Sequence, residues 1–235
     1  MTADTQRTNT GRPLTARGRE TRARIVTAAA ELMLDTGIAG TTMEDVRARA
    51  GVSSSQIYHY FADKDALVRA VIDHQDESIV GAHEVIFAQL DSLDGLRDWC
   101  RGIVDYQRLG GCSGGCPLGS LGVQLAETDP DARAAVARAL SRWERAIRRG
   151  YDSMRARGVF GEHTDTSALA MSTLAALQGG LLLAQIQRST APLEASLDAV
   201  VRHAGLLATR SVVEPVMAFP RTQAGNRVGE GVDRP

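Results

Sequence analysis

The chain has 235 residues, 43% of them apolar, and a formal net charge of −1, room for a small domain and a larger one. That charge excludes a basic coat over the whole surface, so any affinity for nucleic acid has to be local. There is no apolar h-region near the N-terminus, no apolar stretch near 18 residues without charge is read, and the three cysteines are odd in number; the expectation is a cytoplasmic protein with reduced thiols, no membrane span and no disulfide framework.

Positive charge is concentrated at the start. Residues 1–24 hold six arginines (Arg7, Arg12, Arg17, Arg19, Arg22, Arg24) against Asp4 and Glu20, a balance of +4. Residues 1–14 are polar and expected to be disordered, either as an arm that follows a DNA groove or as a plain basic tail. A long helix, RGRETRARIVTAAAELMLDTG, follows from Arg17.

Thr42 is placed to cap the next helix, its hydroxyl three residues ahead of the Asp45 amide, with Met43, Val46 and Ala50 on one inner face. Gly51 comes where a left-handed backbone costs least, so the chain should turn there, with Val52 filling the corner. Ser53 and Gln56 repeat the capping signature, which predicts a second helix from about Ser54 to Tyr60 with Ile57 and Phe61 turned inward. Ser54, Ser55, Gln56, Tyr58 and His59 then remain outside, a polar and aromatic set suited to base edges and phosphates and unsuited to a core. This is the layout of a helix-turn-helix DNA reader.

Arg17 to Ala70 also resembles the TetR family of bacterial transcriptional regulators. The long first helix, the Thr41–Thr42 pair, the Ala-Gly-Val turn at 50–52, the Ile-Tyr-His-Tyr-Phe run and Asp63-Lys64-Asp65-Ala66-Leu67 occur in that family's order and spacing. The resemblance implies base contacts from Ser54, Ser55 and Gln56 and phosphate contacts from Tyr58 and His59. It also implies phosphate contacts from Thr42 and from Lys64, the sole lysine, which otherwise reads as a solvated surface charge.

Beyond Leu67 the periodicity stays helical, giving an all-α fold; with the resemblance this implies a helix-turn-helix domain over 15–65, an effector-binding and dimerisation domain over 66–210, and a disordered tail over 211–235. Residues 65–88 read as one connecting helix, with Leu67, Val71, His74 or Gln75, Ser78 and Ala82 on one side. Leu96 to Leu109 follows, with Trp99, Ile103 and Tyr106 on a face. Asp129 and Pro130 open a long helix to about Arg157, whose apolar face carries Ala135, Ala139, Trp143, Ile147 and Met154. Its other face holds Arg138, Arg142, Arg145, Arg148 and Arg149, read as a solvated face paired with acids, a second DNA surface being the sharper alternative.

Ala168 to Ile186 is almost free of charge and Leu193 to Leu207 is apolar on one side, so both need covering. In the resembled family such a pair forms a four-helix interface in a homodimer, which suits a palindromic operator in double-stranded DNA. A small-molecule effector would be lined by Phe87, Trp99, Ile103 and Tyr106, by Leu121 and Leu125, and by Trp143 and Ile147, although an apolar stripe of this kind also serves as ordinary core.

Cys112 and Cys116 lie in the glycine-rich run LGGCSGGCPLGSLGVQL, whose Gly-Cys-Pro-Leu-Gly resembles the branch of multidrug-resistance and flavonoid-responsive repressors. Pro117 can start a helix that puts Cys116 at its N-terminus, where the dipole lowers a thiol pKa. Three readings stand for these cysteines: small apolar fillers lining a pocket or core, a redox or electrophile switch, or two metal ligands joined by a histidine such as His74 or His83. Two cysteines fall short of a tetrahedral set, so neither metal nor cofactor is expected. With no phosphate-cradling loop, serine signature or acid pair, the chain does not read as an enzyme; the resemblance implies a repressor released by its effector without excluding an activator, and a cysteine-dependent oxidoreductase is the alternative from another class.

Overall fold

The computed structural model describes residues 13–208, which form ten α-helices and one π-helical turn; residues 1–12 of the expected basic arm and the expected tail over 211–235 lie outside the described residues. Helix α1 (Ala16–Gly40) starts at Thr15, whose hydroxyl accepts from the Gly18 N–H at 3.2 Å. It outruns its predicted end by bending at Gly37, where φ is +76°, and the next amide, Ile38 N–H, donates to Gln124 Oε1 at 2.7 Å. A side chain from the body thus seals the break in the reader's first helix.

Helices α2 (Met43–Ala50), α3 (Ser54–Tyr60) and α4 (Lys64–Gln75) close a core of Ile25, Ala29, Met33, Val46, Val52, Ile57, Phe61, Leu67 and Val71. This core continues past residue 65, because Leu121 and Leu125 of α7 (Pro117–Leu125) and Ala132 and Val136 of α8 (Pro130–Ala156) belong to it. Reader and body therefore share apolar side chains, with α7 packed against α1 and α4.

The connecting helix is continuous in space but not in register. After α4 the segment Asp76–Val80 takes a π turn before α5 (Gly81–Ala88), and the extra residue advances the buried stripe by one position. Ile79, Val80, His83 and Phe87 therefore face inward, while Ser78 and Ala82, expected there, are exposed.

Arg142 of α8 clasps this turn, 2.7 Å from Glu84, 3.2 Å from Asp76 and 3.3 Å from Glu77, and Arg149 reaches Glu84 at 3.1 Å. Two of the five arginines read as a paired face are thus committed to carboxylates on one neighbouring segment. Hydrogen bonding to Arg142 holds Glu84 below its ordinary pKa of 4.5 despite some desolvation. A depressed carboxylate stabilises the fold fully above its unfolded pKa, and that stabilisation is lost as pH falls through the lower folded value. Thermal unfolding of Glu84→Gln should accordingly show a smaller loss of Tm between pH 7 and pH 4 than the parent chain; parallel losses would remove the clasp from the account.

Helix α6 (Leu93–Leu109) is capped by Ser92 and buries Leu96, Trp99, Cys100, Val104 and Gln107. Helix α9 (Thr166–Gln187) carries no charged residue along its 22 positions, so the expectation that no such stretch exists is corrected. Its length and composition would suit a membrane, but Leu169, Ala170, Leu174, Leu177, Leu181 and Ala184 are buried against the rest of this chain. A buried Tyr151 hydroxyl meets Thr173 Oγ1 at 2.7 Å between α8 and α9. Helix α10 (Ala191–Leu207) crosses α9 at Gly180, where an added Cβ would stand 3.0 Å from the Leu193 Cα.

Candidate DNA interface and effector region

Both capping boxes of the helix-turn-helix close within three residues. In the first, the Thr42 Oγ1 accepts from the Asp45 N–H at 3.1 Å while Asp45 Oδ2 accepts from the Thr42 N–H at 2.9 Å. In the second, Ser53 Oγ accepts from the Gln56 N–H at 3.2 Å and Gln56 Oε1 accepts from the Ser53 N–H at 2.8 Å. Gly51, at φ +63° and ψ +42°, makes the left-handed turn between them, and Arg47 Nη1 donates across it to the Val52 carbonyl at 3.4 Å.

These caps aim α3 outward. Ser54, Ser55, Gln56, Tyr58 and His59 are all exposed, with Ile57 and Phe61 buried beneath and the Arg22 guanidinium 4.9 Å above the Phe61 ring. Tyr60 is half-buried against the core and meets His59 edge-on at 5.1 Å. Lys64 begins α4 directly after the Asp63 cap, near the C-terminal end of α3.

Two side chains in this set carry a second duty. The Gln56 carbonyl oxygen is held by its own helix, which leaves its amide nitrogen as the group free to read. Thr42 Oγ1 also donates to Asp45 Oδ2 at 2.6 Å, and these bonds hold the Asp45 carboxyl below its ordinary pKa, so a phosphate at that helix start meets a carboxylate.

The residues expected around an effector do not form one group. Phe87, Trp99, Trp143 and Ile147 pack together in the body, with Ile103 at their edge and Cys112 and Cys116 in the same core. Leu121 and Leu125 turn the other way, into the reader's core, while Leu118 of the same helix is buried in the body core, so α7 lies between the two. Tyr106 is 75% exposed: the buried line of α6 runs through Cys100, Val104 and Gln107, and Tyr106 falls beside it. His83, absent from the expected effector set, stands at the centre of the group, 4.7 Å from Trp143, 6.0 Å from Trp99 and 6.3 Å from Phe87 between ring centroids. Its spacing of four from Phe87 on one helix was the available sequence signal.

Cys116 does cap α7, its sulfur accepting from the Gly119 N–H at 3.4 Å, but the expected lowering of its pKa is reversed. Burial pushes the thiol up by more than its bonds with Gly119, Gln178 and Leu118 pull it down, so the thiolate needed for a redox switch is disfavoured. Cys100 is pushed up to about 12 by burial and by the Asp198 carboxylate.

With this geometry in place, comparison with known proteins is decisive. Residues 25–71 match the family model described as bacterial regulatory proteins, tetR family, and residues 92–200 match the tetracyclin repressor-like C-terminal domain. The chain belongs to the TetR family.

As a TetR-family protein it is a DNA-binding transcriptional regulator. It is similar to an uncharacterized HTH-type transcriptional regulator of Lactococcus lactis, 26% identical over 185 residues covering 77% of this chain and 91% of that one. The transcriptional regulator AcuR of Cereibacter sphaeroides is 25% identical over 181 residues, 76% of this chain and 83% of its own. Among solved structures, a TetR transcriptional regulator from Chloroflexus aurantiacus superposes with a TM-score of 0.71 at 26% identity, covering 83% of this chain and 98% of that one. The reduced form of Escherichia coli NemR shares the fold, with a TM-score of 0.73 at 19% identity over 83% of this chain and all of its own.

Proposed function

We propose that this TetR-family regulator is a homodimeric repressor that occupies a palindromic operator in its ligand-free state and leaves it when a small molecule enters the body. The observation that carries the reading is the shared core: Leu121, Leu125, Ala132 and Val136 join the helices of the reader, and Gln124 seals the bend of α1. A ligand that moves α5, α7 or α8 therefore moves the platform on which α3 stands, and two readers set for one half-site spacing lose it. Thr42, Ser54, Ser55, Gln56, Tyr58, His59 and Lys64 are the proposed DNA contacts, supported by the exposure of the first six on and around α3 and by the place of the half-buried Lys64 at the start of α4.

The test separates reading from folding at one atom. Glutamate is as good a capping-box partner as glutamine, so Gln56→Glu should leave the Tm within about 1 °C, a change well under 1 kcal/mol. It also replaces an amide donor with a negative charge facing phosphates. Operator affinity by gel shift should fall at least about tenfold, the cost of losing one base contact and adding repulsion. Undiminished binding would remove Gln56 from the interface, and no binding of the parent protein to its own promoter region would remove the repressor reading.

A further inference from the structure

The ring cluster of α5, α6 and α8 contains hydrogen-bonding groups that the fold leaves unused. Trp99 and Trp143 are 6% and 2% exposed, and neither indole Nε1–H has a hydrogen-bond partner. A buried donor without an acceptor is costly, and two in the walls of one cluster call for an explanation outside the packing. His83 lies between the two indoles, its Nδ1 2.8 Å from the Ile79 carbonyl oxygen. That contact places the ring proton on Nδ1 and leaves Nε2 as an acceptor. Burial lowers the His83 pKa, so the ring is neutral at pH 7.

We infer that this ring cluster is the effector subsite, and that it takes a small, flat, uncharged molecule whose carbonyl-type oxygen accepts from the Trp99 and Trp143 indoles. The inference rests on the ligand-responsive reading above and adds the chemistry of the ligand. Two donors in an apolar wall select an acceptor, and Phe87 and the two indoles give that wall its aromatic faces; His83 touches Trp143 at 4.7 Å and Phe87 touches Trp99 at 4.8 Å, so a planar body enters by parting them. None of the four rings carries charge at neutral pH, and the nearby Arg142 is committed to Asp76, Glu77 and Glu84, so a carboxylate ligand would find no counter-ion among them. The half-buried His83 is the one ring of the four with an edge toward solvent, which makes its side the entrance. Entry there pushes α5 from α8 beside the Glu84–Arg142 clasp, one residue from His83 on one helix and one residue from Trp143 on the other.

These are the chain's two tryptophans, so their indole N–H signals are two assignable peaks in a proton–nitrogen NMR spectrum of the full-length protein. The probes are acetophenone and benzophenone, with α-methylstyrene and 1,1-diphenylethylene as isosteres that lack the acceptor, and benzoate as the charged control. Either ketone should move both indole peaks downfield and bind roughly tenfold tighter than its isostere, the ratio expected from one or two net hydrogen bonds. Benzoate should bind more weakly than acetophenone. Trp99→Phe and Trp143→Phe keep an aromatic wall and delete one donor each; both should erase most of the ketone's preference while the isostere still binds, which shows that the site survives. Equal binding of ketone and isostere, no saturable binding of either ketone, or shifts confined to residues outside α5, α6 and α8 would each overturn the inference. A protein that binds its operator but not the ketones loses this subsite alone, whereas one that binds the ketones but no DNA loses the repressor reading alone.

Discussion

Replacing Leu182 and Ile186 together by glutamate should give a folded monomer whose operator affinity is lower by about 10²–10⁴-fold, the span over which a second linked site contributes. The reason lies in the outer side of α9. Met171, Leu182, Leu183 and Ile186 are exposed, Ile186 by 69%, and they share that side with Ala175 and Gly179, while Leu174, Leu177 and Leu181 fill the inner side. An apolar stripe of this length without cover marks an interface. Because a two-fold interface brings the same patch from each chain together, each substitution places like charges opposite one another twice. Circular dichroism should report unchanged helicity, since neither side chain supports the intrachain core, and sedimentation equilibrium should report the monomer mass. A double variant that stays dimeric at micromolar concentration would move the interface elsewhere.

Gly180→Val should destabilise the protein by about 2–3 kcal/mol, the upper range for overpacking a tight contact. At Gly180 an added Cβ would meet Leu193 Cδ1 at 2.9 Å and the Leu193 backbone Cα at 3.0 Å, and a backbone atom cannot swing aside. The branched valine adds two more carbons at the same place, so α9 and α10 must separate and expose Leu177, Leu193 and Leu197. A Cβ added at the adjacent Gly179 would meet nothing within 4 Å. In the monomeric Leu182→Glu, Ile186→Glu background, Gly179→Val should therefore change stability by only about 0.5 kcal/mol, the scale of helix propensity. Urea unfolding compares the two sites, and equal losses would mean that Gly180 is not the crossing point.

The reader was legible almost residue by residue. Thr42 with Asp45, Gly51, and Ser53 with Gln56 each close a hydrogen bond or a turn within three residues, so the interaction that fixes the element is written in adjacent letters. The same holds for Asp129 before Pro130 and for Cys116 before Pro117. Legibility failed where the answer depended on what a helix packs against. The stripe through Ser78 and Ala82 follows from an unbroken α-helical period, and the π turn at Asp76–Val80 shifts it by one residue. Tyr106 sits one step from the buried line of α6, a difference that periodicity does not resolve. The charge-free run of α9 is written in the sequence; which of its sides the same chain covers is not.

What the sequence by itself determined is the all-α fold, the capped starts of α2, α3, α7 and α8 and the outward polar face of α3, because capping and periodicity are short-range. Only the tertiary structure decided that Leu121 and Leu125 pack into the reader's core, that His83 stands between two unpaired indoles, and that burial favours the thiol at Cys116. Those outcomes are set by desolvation and by which apolar faces meet, and both are sums over side chains that lie far apart in the chain.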